Sequence, residues 1–145
     1  MDLVRDLVID YLSRRKFLTL ATTTTKGEPL THPIAYVNID DTVYFSTNKK
    51  TRKVKNIKEN PNVAYSVFDG TDHLDEIKLI QMEGTASILT DNSKAEEILN
   101  MIKKKFPSMA DMPLDSDSIV VKITPKVAYF SDYTKRFGYR EMVEY

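Results

Sequence analysis

The chain has no cysteine, no tryptophan, two histidines and four glycines in 145 residues. Without cysteine there is no disulfide, no thiolate zinc site and no cysteine nucleophile. Two histidines, His32 and His73, are too few for most transition-metal sites. The glycine shortage goes with the absence of both G-x-x-x-x-G-K-[ST] and G-x-G-x-x-G, so a phosphate on this chain would be held by side chains and not by a glycine-rich nest. Nor is there a nucleophile-elbow pattern, which argues against a hydrolase. No apolar run approaches the roughly 18 residues of a membrane span. The segment "MDLVRDLVIDYLSRRKF" places acids in its first turn and shows no cleavage-site pattern, so it is not read as a signal peptide and a cytoplasmic location is expected. There is no internal repeat and no low-complexity linker.

Charge of either sign is not in excess. Twenty-one basic residues balance 21 acidic ones. A bulk nucleic-acid binder would carry a clear basic surplus, so neither nucleic acid nor membrane is an expected partner. About two-fifths of the chain is hydrophobic, a globular composition. The length suits one domain, residues 1–145, with a proper core.

The hydrophobic spacing changes along the chain. Leu3, Val4, Leu7, Val8, Tyr11 and Leu12 recur at helical spacing, predicting an amphipathic helix over 2–14 that Asp2 caps. "KFLTLATTTTKGEPLTHPIAYVNIDDTVYFST" then alternates and is rich in Thr, Val, Ile, Tyr and Phe, as strands are. "KGEP" and "DD" interrupt it as turns. Strands are expected at 16–24, 30–38 and 42–47, joined as a meander. A short helix over 51–59 follows, with Thr51 as its N-cap, and "NPN" stops it. "VAYSVFD" reads as a fourth strand. "HLDEIKLIQMEGTASILT" reads as a long fifth, where Gly84 signals a bulge or a close backbone approach. A helix over 93–105 ends near Pro107, and "MADMPLDSDS" reads as a loop. "IVVKITPKVAYFSDY" is a sixth strand, in which Pro125 implies an edge or a bulge. The tail "TKRFGYREMVEY" is basic and aromatic, without a clear period. Six antiparallel strands with three helices suggest a mainly β fold with flanking helices, a small barrel or a strongly curled sheet.

Charge is nevertheless concentrated locally. Lys49 to Lys58 holds six of the 21 basic residues. Val54 and Ile57 lie three apart and point to the core, which leaves Lys55, Lys58 and Glu59 on a solvated face. Thr51, Arg52 and Lys53 differ, because they stand at the first turn. There the backbone presents free N–H groups and a partial positive charge. Cations at that end oppose the helix dipole, so a hydroxyl, a guanidinium and an ammonium placed there suit a phosphate, with Thr47 adding a further hydroxyl. Read from the residues alone, the pattern suits either an anion or a plain helix cap. His73, Asp72, Asp75 and Glu76 form an acidic stretch with the look of a hard-metal cluster, whose ordinary reading, like that of nearby Asp69, is a solvated loop. Met101, Met109 and Met112 read as packing.

The segment "FLTLATTTTKGEPLTHPIAYVNIDDTVYFSTNKKTRKVKNIKENPNVAYSVF", followed by "IQMEGTASIL", resembles the FMN-binding split-barrel family related to pyridoxamine 5′-phosphate oxidase. The likeness lies in the order of a G-x-P turn, a "YFST" strand end, a [ST]-[RK]-K helix start, "NPxV" and "QxxGxA", and covers about residues 10–131. It implies a six-stranded antiparallel split barrel, FMN as cofactor, and a homodimer with FMN at its interfaces. It implies further that Thr47, Thr51, Arg52 and Lys53 hold the FMN phosphate. His32, Pro33, Ile34 and Ala35 would form the strand whose backbone runs along the isoalloxazine ring. His32 stands where the oxidase itself has an arginine, and Gln81 matches a polar position near the flavin in some relatives. In the tail, Tyr133, Arg136 and Phe137 match a segment that reaches a partner's flavin or packs at the dimer interface. The resemblance supports FMN binding more than that oxidase activity, because no tryptophan and no long C-terminal substrate region follow the sixth strand. A flavoprotein oxidoreductase is therefore expected, with substrate and electron donor undetermined. A deazaflavin-dependent reductase, a non-catalytic flavin or haem module and a plain dimeric scaffold are the alternatives. No residue stands out as a general base.

Overall fold

Residues 30–38, expected as one strand, break at Tyr36, and the break organises the whole sheet. The computed structural model describes residues 2–111 and 116–145. Its elements run α1 (Leu3–Arg14), β1 (Phe17–Thr23), β2 (Pro29–Ala35), β3 (Val37–Ile39), β4 (Thr42–Asn48), α2 (Arg52–Glu59), β5 (Asn62–Phe68), β6 (Lys78–Ile88), α3 (Asn92–Lys105), β7 (Ser118–Asp132) and β8 (Arg140–Glu144). Short 3₁₀ turns occupy Leu74–Glu76 and Pro107–Met109. Met112 and the middle of the expected 109–118 loop lie outside the described residues.

One antiparallel sheet contains all eight strands, in the order β2-β1-β5-β6-β7-β4-β3, with β8 added alongside β7. The two ends of that order, β2 and β3, are separated in sequence by Tyr36 alone. A flat sheet cannot place its two outermost strands one residue apart, so the sheet curls into a barrel left open between them. This corrects the expected six strands to eight and the expected meander to a split one. The count rises because 30–38 divides and because the tail, for which no period was found, adds β8 to the second half of β7.

The local chemistry explains most boundaries. Asp2 caps α1, accepting from the N–H groups of Val4 and Arg5 at 3.0 and 3.2 Å. Val8, Tyr11 and Leu12 are buried, whereas Leu3 and Leu7 stay exposed. The β1–β2 turn needs Gly27 at φ 79°, and its N–H donates to the Thr24 carbonyl at 3.0 Å. Alternation then sends Leu18, Leu20, Val63, Tyr65, Val67, Ile80 and Met82 inward to a core shared with Phe45 and Ile123. A second cluster of Val37, Tyr44, Ile98, Ile102, Phe106 and Val120 fixes α3 against β3, β4 and β7. The long fifth strand starts only at Lys78, because residues 74–76 take a 3₁₀ turn.

Gly84 marks a bulge, as expected. The β6–β7 register shifts between Glu83 and Gly84, where Glu83 faces Val127 but Gly84 faces Pro125. The extra residue lies on β7, so Pro125 sits at a bulge in a central strand and not on an edge. It falls between the stretch of β7 paired with β4 and the stretch paired with β8, where no neighbouring strand needs its missing N–H. A Cβ on Gly84 would stand 2.7 Å from the Thr124 carbonyl oxygen and 3.0 Å from Ile123 Cγ2.

Tyr36 is fully buried and bonded on every side. Its hydroxyl donates to the Leu12 carbonyl at 2.6 Å and its N–H to the Lys16 carbonyl at 3.2 Å. Its own carbonyl accepts from Lys105 Nζ at 2.9 Å, and the same ammonium lies 4.2 Å from the Tyr36 ring centroid. Burial, with repulsion from Lys16 added, pushes the Lys105 ammonium down to about 8.

Two stability changes follow, both read by urea denaturation. Gly84→Ala forces backbone apart and is expected to cost about 1–3 kcal/mol, as overpacking does. Tyr36→Phe keeps the ring and loses the hydroxyl bond, an expected loss of about 1–2 kcal/mol. Midpoints unchanged in both variants would refute the close approach and the hub.

Candidate functional site

The six cations between Lys49 and Lys58 sort into three groups. Lys49 and Lys50 share one carboxylate, Asp117, at 3.3 and 3.0 Å, and these contacts hold that carboxyl below the usual range. Lys55 and Lys58 are exposed on the outer face of α2, opposite buried Val54 and Ile57. Arg52 and Lys53 remain, exposed and half-buried, with no acidic partner among the described residues.

These two open α2, and α2 is uncapped. Thr51 occupies the N-cap position with extended backbone but makes no side-chain cap bond. Its hydroxyl turns back and donates to the Asn48 carbonyl at 2.9 Å, and its N–H goes to the same oxygen at 3.2 Å. Asn48 also accepts from the Lys50 N–H at 2.8 Å, so it holds the strand-to-helix loop, a role the sequence reading did not give it. The N–H groups of Arg52, Lys53 and Val54 therefore have no acceptor among the described residues. Lys53 Nζ donates to Thr47 Oγ1 at 3.3 Å, which gathers Thr47, Arg52 and Lys53 into one corner.

His32 belongs to the same corner. On β2, His32 and Ile34 face inward while Thr31 and Pro33 face outward, Ile34 being buried in the core. Helix α2 buries an asparagine, Asn56, which is 2% exposed. Asn56 Nδ2 donates to Thr22 Oγ1 at 3.0 Å, and Thr22 Oγ1 lies 2.9 Å from His32 Nε2. Thr22 is fully buried. Burial lowers the His32 pKa first, and repulsion from Lys53 and Arg52 lowers it further. Neither Thr22 nor Asn56 was picked out from the sequence. The legible signal was Thr22 in the inward row of Leu18 and Leu20; Asn56 lies off the row of Val54 and Ile57, and helical spacing gave no sign of its burial.

Gln81 stands apart. The pairings Pro33–Thr19, Thr19–Ser66, Ser66–Gln81 and Gln81–Tyr129 form one row across the outer face of the sheet. Three strand spacings separate Gln81 from Pro33, about 14 Å along the sheet. Gln81 lines a groove of about 370 Å³ together with Thr19, Ser66, Glu83, Tyr129 and Arg140, and none of the basic corner reaches it. There the Tyr129 hydroxyl donates to Glu83 Oε2 at 2.7 Å, and Arg140 stacks on the Tyr129 ring at 3.8 Å. In the tail, Tyr133 and Phe137 pair at 5.3 Å between ring centroids, with Phe137 exposed, and Arg136 lies 5.2 Å from the Tyr139 ring centroid. Asp72, His73, Asp75 and Glu76 do not converge, and no metal-holding group of His, Asp and Glu occurs among the described residues.

The sequence matches the pyridoxamine 5′-phosphate oxidase family over residues 5–132, most of the chain. The chain belongs to the pyridoxamine 5′-phosphate oxidase family. No curated protein matches it. Among solved structures it is similar to General Stress Protein 26 from Bacillus anthracis, with 22% identity, 98% of each chain covered and a TM-score of 0.70. It is also similar to HutZ, the heme storage protein of Vibrio cholerae, with 18% identity, 87% of this chain and 92% of that chain covered, and a TM-score of 0.72. A heme binding protein from Mycobacterium smegmatis gives 12% identity and a TM-score of 0.81, covering 99% of this chain and 58% of that one. At these identities the likeness concerns the fold, and the family's mainly β, curled antiparallel architecture is the one described above. Among the described residues no helix is long and apolar enough to cross a membrane.

The lowered His32 pKa sets a pH dependence of stability. The folded state prefers the neutral imidazole, so the contribution is present above the ordinary value near 6.5 and is lost as pH falls below it through the folded value. Urea midpoints of wild type and His32→Gln are expected to converge on acidification. Parallel curves would show that His32 titrates no differently on folding.

Proposed function

We propose that this chain is an FMN-binding flavoprotein, an oxidoreductase that works as a homodimer. The observation that carries the reading is the pair Arg52 and Lys53, without carboxylate partners, at the uncapped start of α2 beside the Thr47 hydroxyl. Three free N–H groups, two cations and a hydroxyl form the donor set of a phosphate dianion, and among the described residues no carboxylate pairs with the two cations. Thr51 contributes through the turn it closes on Asn48.

The isoalloxazine ring would lie along residues 32–35. Strand β2 pairs with β1 alone, so alternate backbone groups on its other side face away from the sheet. Gln81, about three strands away on the outer face, reaches that ring only from a second copy. A second copy would meet the outer surface of β1 and β5, where Thr19, Ala21, Ala64 and Ser66 line the groove that also holds Gln81. When bound, FMN supplies the hydride or electron chemistry, and the protein supplies position and electrostatics. Arg52 and Lys53 anchor the phosphate, β2 presents backbone, and no side chain is placed as a general base. A haem-binding module is the second reading, favoured by the heme proteins among the similar structures.

Absorbance of the purified chain, followed by titration with FMN and with haem, separates the two. FMN is expected to bind with micromolar or tighter affinity. Arg52→Ala with Lys53→Ala removes about two charge-assisted contacts, together about 3–5 kcal/mol, so FMN is expected to weaken by roughly 100-fold or more while riboflavin changes little. Equal losses for the two ligands would remove the phosphate role, and haem uptake without flavin uptake would replace the reading.

A further inference from the structure

Helix α2 docks on β1 and β6, a contact with no structural need for two buried polar side chains. Yet Thr22 and Asn56 are 0% and 2% exposed; they contact each other, and Thr22 contacts His32. A threonine hydroxyl has one hydrogen and two lone pairs. Asn56 Nδ2 takes one lone pair. What remains is one hydrogen and one lone pair, both able to point at His32 Nε2. The hydroxyl donates to a neutral imidazole, and it accepts from a protonated one by turning. Thr22 thus holds the ring in one place in either charge state. The charged groups facing His32 are Arg52 and Lys53 on α2, while β1 and β2 carry no other titratable side chain. Lys49 and Lys50 in the adjoining loop share the one carboxylate of Asp117.

We infer that His32, oriented by Thr22 and Asn56, is a proton-gated third arm of the anion site. It is neutral while Arg52 and Lys53 are uncompensated, and it takes a proton from solvent when a phosphate dianion sits against them. The inference rests on the anion-site reading above and gives that site a regulation by pH. The sign follows from linkage. In the free protein the two cations repel a proton on His32, and a bound dianion removes that repulsion. Between the lower pKa of the free site and the higher one of the complex, binding takes up a proton. Affinity therefore tightens as pH falls through that window, by at most about tenfold per pH unit. An arginine at position 32 has no such window, because its guanidinium stays charged throughout.

Two measurements on the full chain test this. With only two histidines, NMR titration of the imidazoles is resolvable, and exposed His73 serves as the internal reference. Adding inorganic phosphate is expected to raise the His32 titration midpoint while the His73 curve stays in place. The same rise in Thr22→Val would remove the role of the hydroxyl, and no rise in wild type would overturn the coupling whether or not FMN binds. FMN titrations by flavin fluorescence are then compared at about pH 6.5 and about pH 8.5, above the second phosphate ionisation near pH 6 and spanning the region where histidine sheds its proton. Wild type is expected to bind FMN several-fold more tightly at the lower pH. His32→Gln and Thr22→Val are expected to lose that slope, and riboflavin is expected to show none. A slope retained in His32→Gln would assign the proton elsewhere and overturn the inference. A phosphate-induced shift of His32 without FMN binding would sustain the gate and reject FMN as the ligand.

Discussion

The fold hangs on the bonds made by Tyr36. This residue joins the two strands that lie at opposite ends of the sheet order, so it must sit where the curled sheet comes closest to closing. A backbone turning there inside the protein carries polar groups that would be costly unpaired. Each is answered: the hydroxyl by Leu12, the N–H by Lys16 and the carbonyl by Lys105. Those partners come from the ends of α1 and α3 and from the segment between α1 and β1, so one buried residue ties the helices to the seam. The second core cluster depends on it as well, since Val37 follows immediately and Phe106 follows Lys105.

At the other end of the barrel, α2 plays the corresponding part by different means. Val54 and Ile57 anchor it by burial, and Asn56 between them adds a hydrogen bond to β1. That docking fixes where the helix begins. Once it is fixed, the loop from Asn48 to Thr51 is held by its own hydrogen bonds, and the Thr51 hydroxyl turns back to Asn48 instead of accepting from the first N–H groups of the helix. The uncapped start is thus a consequence of packing, and the electrostatics of Arg52 and Lys53 are inherited from it. Asp117 pairs with Lys49 and Lys50, whereas Arg52 and Lys53, near Thr47 and His32, have no acidic partner among the described residues.

The outer face of the sheet has a different character. Its centre carries small side chains, Thr19, Ala21, Ala64 and Ser66, while Glu83, Tyr129 and Arg140 form a linked margin at one side, next to Gln81. The 15-residue strand β7 makes this possible by pairing with β4 along its first half and with β8 along its second. The bulge at Gly84 and Pro125 lies at the changeover, where the strand bends between its two partners. The tail thereby becomes part of the sheet and brings Arg140 to the groove.

Much of this was legible in the sequence, because local structure is written in local periods. The helical spacing of Val8, Tyr11 and Leu12, the alternation of Leu18 and Leu20, the turn at Gly27 and the bulge at Gly84 each follow from neighbouring residues. So does the clustering of Arg52 and Lys53 at a helix start. The break at Tyr36 was not legible, since the one breaker residue within 30–38, Pro33, lies inside β2 and none stands at Tyr36 itself. Strand β8 was missed because its edge strand is short and half exposed. By itself the sequence determined the three helices, most of the strands, the direction of their apolar faces and the concentration of positive charge. Only the tertiary structure decided which charges remain uncompensated and which polar residues meet. Thr22 and Asn56 are 34 residues apart, and Lys49 and Asp117 are further apart still. Partners at such separations are chosen by how strands pair and helices dock, and no short window of sequence contains that choice.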